Sequence, residues 1–158
     1  MIRWLLLAAM CVSVFVFSSF GADDSSEQSS FIVDGLIKLF FYDFQEMSPP
    51  ERAALTDVLT VVVRKGAHFS EYALMGVLAF GAFVRIKKYI PRYLASLVFC
   101  IVYAATDEFH QMFVPGRAGM VRDVIVDSCG AATGTLLACF VSLMIAAYAV
   151  LHKKEKDI

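Results

Sequence analysis

Three long apolar runs, residues 66–84, 93–112 and 120–151, leave this chain few folds to adopt. Lipid offers the backbone no hydrogen-bond partners, so an apolar run of about 20 residues that crosses a bilayer does so as a helix. A fourth run, residues 4–20, follows a lone Arg3 and is long enough to span with little tilt. Its alternative is a signal peptide, for which Ser19-Phe20-Gly21 makes a poor cleavage site. Whether residues 1–21 are removed stays open, and an uncleaved first helix is favoured.

The whole chain of 158 residues is 59% hydrophobic and 18% charged, above the roughly 45–50% apolar content of soluble domains. Its mean hydropathy of +0.67 points the same way. The expected fold is therefore all-α, a polytopic membrane helix bundle with four spanning helices in one domain, residues 1–158. Residues 22–65 form the segment between the first two spans. Within it, residues 22–30 read as an acidic linker. Residues 31–44 carry a polar stripe through Asp34, Lys38 and Gln45 and read as an amphipathic interfacial helix on the outer side. Ser48-Pro49-Pro50-Glu51 then has the form of a capped helix start.

Charge sets the orientation. Arg3, the loop holding Arg85, Lys87, Lys88 and Arg92, and the tail with Lys153, Lys154 and Lys156 fall on one side of a four-span protein. By the lysine and arginine bias of membrane proteins that side is the cytoplasm, which predicts both termini inside. No basic patch with interleaved aromatics occurs, so nucleic acid is excluded as a partner. The partner that composition demands is the lipid bilayer. Cys11, Cys100, Cys129 and Cys139 sit in apolar runs without the paired spacing of a zinc site. Gly130 and Gly134 have the spacing that admits a close helix, which leaves a homo-oligomer open.

The polar exceptions are concentrated. Residues 106–130 hold Asp107, Glu108, His110, Gln111, Arg117, Arg122, Asp123 and Asp127 between apolar stretches. Ionisable groups at a helix centre in lipid cost roughly 2.5–3.5 kcal/mol each, so they turn inward, pair, or serve function. The predicted topology puts His68 and Glu71, the Asp107–Gln111 group, and Arg122, Asp123 and Asp127 at the outer ends of three spans. All then stand at one depth. His68 and Glu71 share a helix face by their i,i+3 spacing, as do Asp107 and His110, and Glu108 and Gln111. Asp123 and Asp127 are i,i+4, and Asp123 also suits the first turn of its helix, where the dipole favours an anion.

Several motifs follow in order: Arg64-Lys65-Gly66-Ala67-His68-Phe69-Ser70-Glu71-Tyr72, Thr106-Asp107-Glu108-Phe109-His110-Gln111, Val114-Pro115-Gly116-Arg117, and Arg122-Asp123 with Asp127 and Gly130. Together they resemble the VanZ-like family of small bacterial membrane proteins, over residues 64–134. The resemblance implies a setting, the bacterial plasma membrane and cell envelope, and a link to teicoplanin resistance, with which the founding member is associated. It implies no reaction.

The candidate functional cluster is thus His68, Glu71, Asp107, Glu108, Gln111, Arg117, Arg122, Asp123 and Asp127. One expectation is a binding site for an anionic or lipid-linked envelope ligand, such as a cell-wall precursor, or for a glycopeptide. The alternative is an enzyme acting on a phosphate-bearing precursor by acid–base or metal-assisted chemistry. His68, Glu71 and Asp107 are the candidate ligands for a divalent metal, and Arg117 and Arg122 the candidates for a phosphate. No metal-hydrolase spacing such as H-E-x-x-H is present, and catalytic roles are unassigned. A purely structural network suits two or three of these residues better than all of them. Transport is disfavoured, because no ionisable group sits at mid-membrane.

Overall fold

The structure, a computed structural model, describes residues 1–156, and all its regular elements are helical. Five α-helices follow in order: α1 (Ile2–Ser18), α2 (Ala22–Phe40), α3 (Pro49–Ala82), α4 (Tyr89–Gln111) and α5 (Val121–Lys156). Short 3-10 turns at Tyr42–Gln45 and Phe83–Arg85 join α2 to α3 and α3 to α4. Three stretches are long and apolar enough to cross a membrane: Pro49–Arg85, Tyr89–Gln111 and Val121–His152. With 17 residues, α1 is apolar but shorter. At about 1.5 Å per residue it reaches roughly 26 Å, just under a hydrocarbon core of about 30 Å.

Local chemistry explains the boundaries. The backbone N–H of Ser48 donates to the Glu51 carboxylate at 2.8 Å, completing the expected capping box, with proline at the first helical positions. The loop between α4 and α5 turns at Gly116, whose φ of 74° suits a residue without a side chain.

Other expectations need correction. Residues 22–30 are not a linker; they form the first half of α2. The sequence allows this because acidic residues suit the first turn of a helix and Lys38 suits the last. Nor does a new helix begin at Gly66. The segment led by Pro49 and the run of residues 66–84 are one helix of 34 residues. Gly66 has open space where a side chain would go, so it marks no break. The third and fourth runs also extend beyond their expected bounds, to Tyr89 at one end and Lys156 at the other.

α3 and α5 form the most extensive helix pair and run in the same direction. A side chain at Gly130 would strike the backbone of Phe69, one at Gly134 that of Ala73, and one at Gly76 the Ala131 carbonyl. The small-residue stripe is therefore filled by α3 of the same chain. α4 returns antiparallel, with the Tyr89 hydroxyl donating to the Ser142 carbonyl and Arg92 Nε to the Phe80 carbonyl. α1 lies beside α4 and α3, where the Tyr103 hydroxyl donates to the Cys11 carbonyl and Trp4 packs edge-on against Phe83. Tyr72, Met75, Ala79, Cys100, Ala104 and Ala131 form the core, joined by Leu7 and Val14 of α1. The outer faces stay apolar, as at Val102, Leu136 and Phe140, which suits a bundle solvated by lipid.

The directions of the helices sort the charges. Arg3, Arg85 and Arg92 gather at one end of the bundle. His68, Glu71, Asp107 and Arg117 gather at the other.

Candidate functional site

The polar end is built from all five helices and the α4–α5 loop. His68 and Glu71 project from α3 one turn apart and line a cleft of about 150 Å³ together with Arg64, Asp107 of α4 and Arg117 of the α4–α5 loop. Val14 and Phe17 of α1 and Ile32 of α2 give the same cleft an apolar wall. A second cleft of about 320 Å³ shares Arg64, His68 and Arg117, and adds Lys65, Gln111 and Asp123. The arrangement is a polar hollow with one greasy side.

Hydrogen bonds tie its far wall together. Gln111 Nε2 donates to Asp107 Oδ2 at 3.3 Å, and Arg117 Nη1 donates to Gln111 Oε1 at 3.3 Å. Glu108 turns to the loop, where its Oε2 accepts the backbone N–H of Met120 at 2.8 Å. Gly119 is close-packed over this point, since a side chain there would meet the Glu108 carbonyl. Arg117 is thus held in place from the loop side. Burial, with Arg64 nearby, holds its guanidinium below the usual arginine range, while Asp107, Glu108 and Glu71 act in the opposite sense.

The acids fall into two kinds. Asp123 forms an ion pair with Lys65, both partners being partly exposed. Asp127 is completely buried, and the His68 imidazole stands near it, Nδ1 lying 3.7 Å from Oδ1. That separation is too long for a hydrogen bond. Both Asp127 oxygens, Asp107 Oδ1, Glu108 Oε1 and the Tyr72 hydroxyl are buried without a protein hydrogen-bond partner. Ser18 of α1 stands against the Asp107 carboxyl outside hydrogen-bond geometry. Buried polar atoms normally find partners, so this group of orphans singles out the polar end as the candidate site.

Of the nine candidate residues, His68, Glu71, Asp107, Gln111, Arg117 and Asp123 line the clefts. Glu108 and Asp127 lie buried behind them. Arg122 is exposed and lines neither cleft. His110 packs on α1, its ring stacked on Phe15 and its Nε2 3.2 Å from the Ser19 hydroxyl. Arg64 and Lys65 belong to the site although neither was a candidate; their position one helical turn before His68 was the available signal. Among the described residues no three His, Cys, Asp or Glu side chains are gathered to hold a metal ion, so His68, Glu71 and Asp107 share a cleft without forming a ligand set.

Among known protein families, the family model described as VanZ/LLP1 matches residues 3–144. This extends well beyond the motifs between residues 64 and 134 and takes in α1 and α2. No curated protein and no solved structure matches the chain.

Proposed function

The chain belongs to the VanZ/LLP1 family of membrane proteins, and from that premise we propose that its paired clefts bind the anionic headgroup of a lipid-linked envelope ligand. The observation that carries this is the composition of the walls. Arg64, Arg117 and His68 are common to both clefts, while Val14, Phe17 and Ile32 line one side of the first. Cations beside an apolar wall match a ligand whose phosphate is joined to a hydrocarbon chain. Lys65 is engaged by Asp123, and Arg64 and Arg117, which line both clefts, are the cations assigned to the ligand. Glu71 and Asp107 set the limit on how far a headgroup enters, and they accept hydrogen bonds from its sugar or peptide part.

In this proposal α1 is the first of four spans, both termini are cytoplasmic, and the clefts open on the outer face of the bacterial plasma membrane. There the protein holds a wall precursor, and the consequence for the cell is reduced susceptibility to teicoplanin-type glycopeptides. The test is binding of a polyprenyl phosphate to the purified chain in detergent micelles. Arg117→Gln is expected to weaken binding about tenfold, the loss of one charge-assisted contact. Unchanged affinity in Arg64→Gln and Arg117→Gln together sinks the proposal. In a susceptible host, the same variants are expected to lose any protection against teicoplanin.

The unpartnered oxygens of Asp107, Glu108 and Asp127 favour a second class, acid–base chemistry on a phosphate-bearing precursor. Release of phosphate or of a headgroup fragment from the bound lipid distinguishes it from binding alone.

A further inference from the structure

The opposite end of the bundle holds a third cleft, of about 440 Å³, between the end of α3, the start of α4 and α5. Phe80 and Gly81 on α3 lie about ten residues beyond Glu71, roughly 15 Å along the helix. Arg3 and Arg92 form its polar rim, and Val77, Leu137, Ala138 and Val141 its apolar floor. Each guanidinium is fixed by one backbone carbonyl: Arg92 Nε donates to Phe80 at 2.6 Å, and Arg3 Nη1 to Gly81 at 3.4 Å. Arg92 is held further by the Phe80 ring, whose centroid lies 3.9 Å from Cζ. Neither arginine has a carboxylate partner among the described residues.

Counter-charge is missing from the sequence as well. No Asp or Glu occurs between Glu71 and Asp107, or from Asp127 to Glu155. The first turn of α4 adds its own positive end: Lys88 gives it no side-chain cap, and no acid follows. Lys87 and Lys88 are exposed beside it. Two guanidiniums, each turned to a backbone carbonyl over an apolar floor open to lipid, therefore lack an anion among the described residues.

We propose that this cleft is a binding site for an anionic phosphoglyceride, with the phosphate between Arg3 and Arg92 and an acyl chain along Val77, Leu137 and Val141. Charge complementarity and the apolar floor together select a lipid over a soluble anion. A basic pocket between transmembrane helices is a recognised form of lipid headgroup site. The site is independent of the acidic end and of the function proposed for it. Its physical consequence is that the lipid adds a further link between α1, the end of α3, the start of α4 and α5.

The single tryptophan, Trp4, follows Arg3 and packs on Phe83 with ring centroids 5.3 Å apart, so it reports on this corner. The experiment reconstitutes the full chain in mixed vesicles of phosphatidylglycerol and phosphatidylcholine, with bromine on the acyl chains of one lipid at a time. Brominated phosphatidylglycerol is expected to quench Trp4 with a preference of about tenfold over brominated phosphatidylcholine. Arg3→Gln with Arg92→Gln should abolish that preference. If the double variant fails to accumulate, Ala138→Phe serves instead, because it fills the cleft and leaves both arginine–carbonyl contacts in place. Equal quenching by the two lipids overturns the proposal, as does a preference that survives either variant. Displacement of the lipid by glycerol 3-phosphate would also overturn it, by making the site one for a soluble phosphate.

Discussion

The carbonyl of Ala73 on α3 occupies the space that a side chain at Gly134 on α5 would need. Together with the contact of Gly130 on Phe69, this lets two parallel helices approach backbone to backbone where the polar end begins, within about two turns of Glu71 and Asp127. Replacement of Gly134 by Val is therefore expected to separate α3 from α5 and lower stability by about 3 kcal/mol or more, at or beyond the upper range for overpacking. Thermal unfolding in detergent measures it. Gly35, with open space around it on α2, is the control; Gly35→Ala should be neutral or stabilising by up to about 1 kcal/mol.

Charge and shape separate at Asp107. Asp107→Asn keeps a carbonyl oxygen to accept the Gln111 amide, and Glu71→Gln keeps the size of a side chain that lines the cleft. Both variants are expected to accumulate in the membrane, with stability within about 1 kcal/mol of the parent, and to lose ligand binding and any resistance phenotype. Depletion of both from the membrane would instead mark them as parts of the scaffold.

The Lys65–Asp123 pair is partly exposed at the mouth of the second cleft. A double-mutant cycle with Lys65→Met and Asp123→Asn is expected to give a coupling of only about 0.2–1 kcal/mol, falling with salt. A coupling several times larger would mean that the pair organises the cleft mouth rather than tuning its charge.

Ala118 lies in the α4–α5 loop at the polar end, and Lys88 at the basic end; both are exposed. In a chain freed of its four native cysteines, Cys at position 118 is expected to react with an impermeant maleimide from outside intact cells. Cys at position 88 should react only after permeabilisation. The reverse pattern turns the acidic clefts to the cytoplasm and removes the outer-leaflet ligand. Cys129→Ala, at an exposed site on α5, should be close to silent.

Much of the site was legible because charge stands out against hydrocarbon. His68, Glu71, Asp107 and Gln111 were readable from spacing and depth alone, and the structure brings them to one end. Arg122 stands apart from the clefts for a geometric reason. Successive helical residues point about 100° apart, so once Asp123 and Asp127 face inward, Arg122 faces out. Arg64 and Lys65 were passed over because basic residues ahead of an apolar run look like a boundary; in a helix that continues through Gly66 they become part of the wall. α2 was half hidden for a related reason, since polarity in residues 22–30 says nothing about whether the backbone is helical. The partner of the small-residue stripe was out of reach too: spacing announces a close neighbour but not which chain supplies it.

The unbroken course of α3 divides the cleft walls into a rigid side and an assembled one. Arg64, His68 and Glu71 ride on a single rod whose backbone is hydrogen-bonded throughout, so their mutual spacing is a fixed ruler. Ser18, Ile32 and Arg117 arrive on three separate segments, the end of α1, the middle of α2 and the α4–α5 loop. If the clefts take the headgroup proposed above, adjustment to headgroups of different size is therefore expected of those three segments rather than of α3.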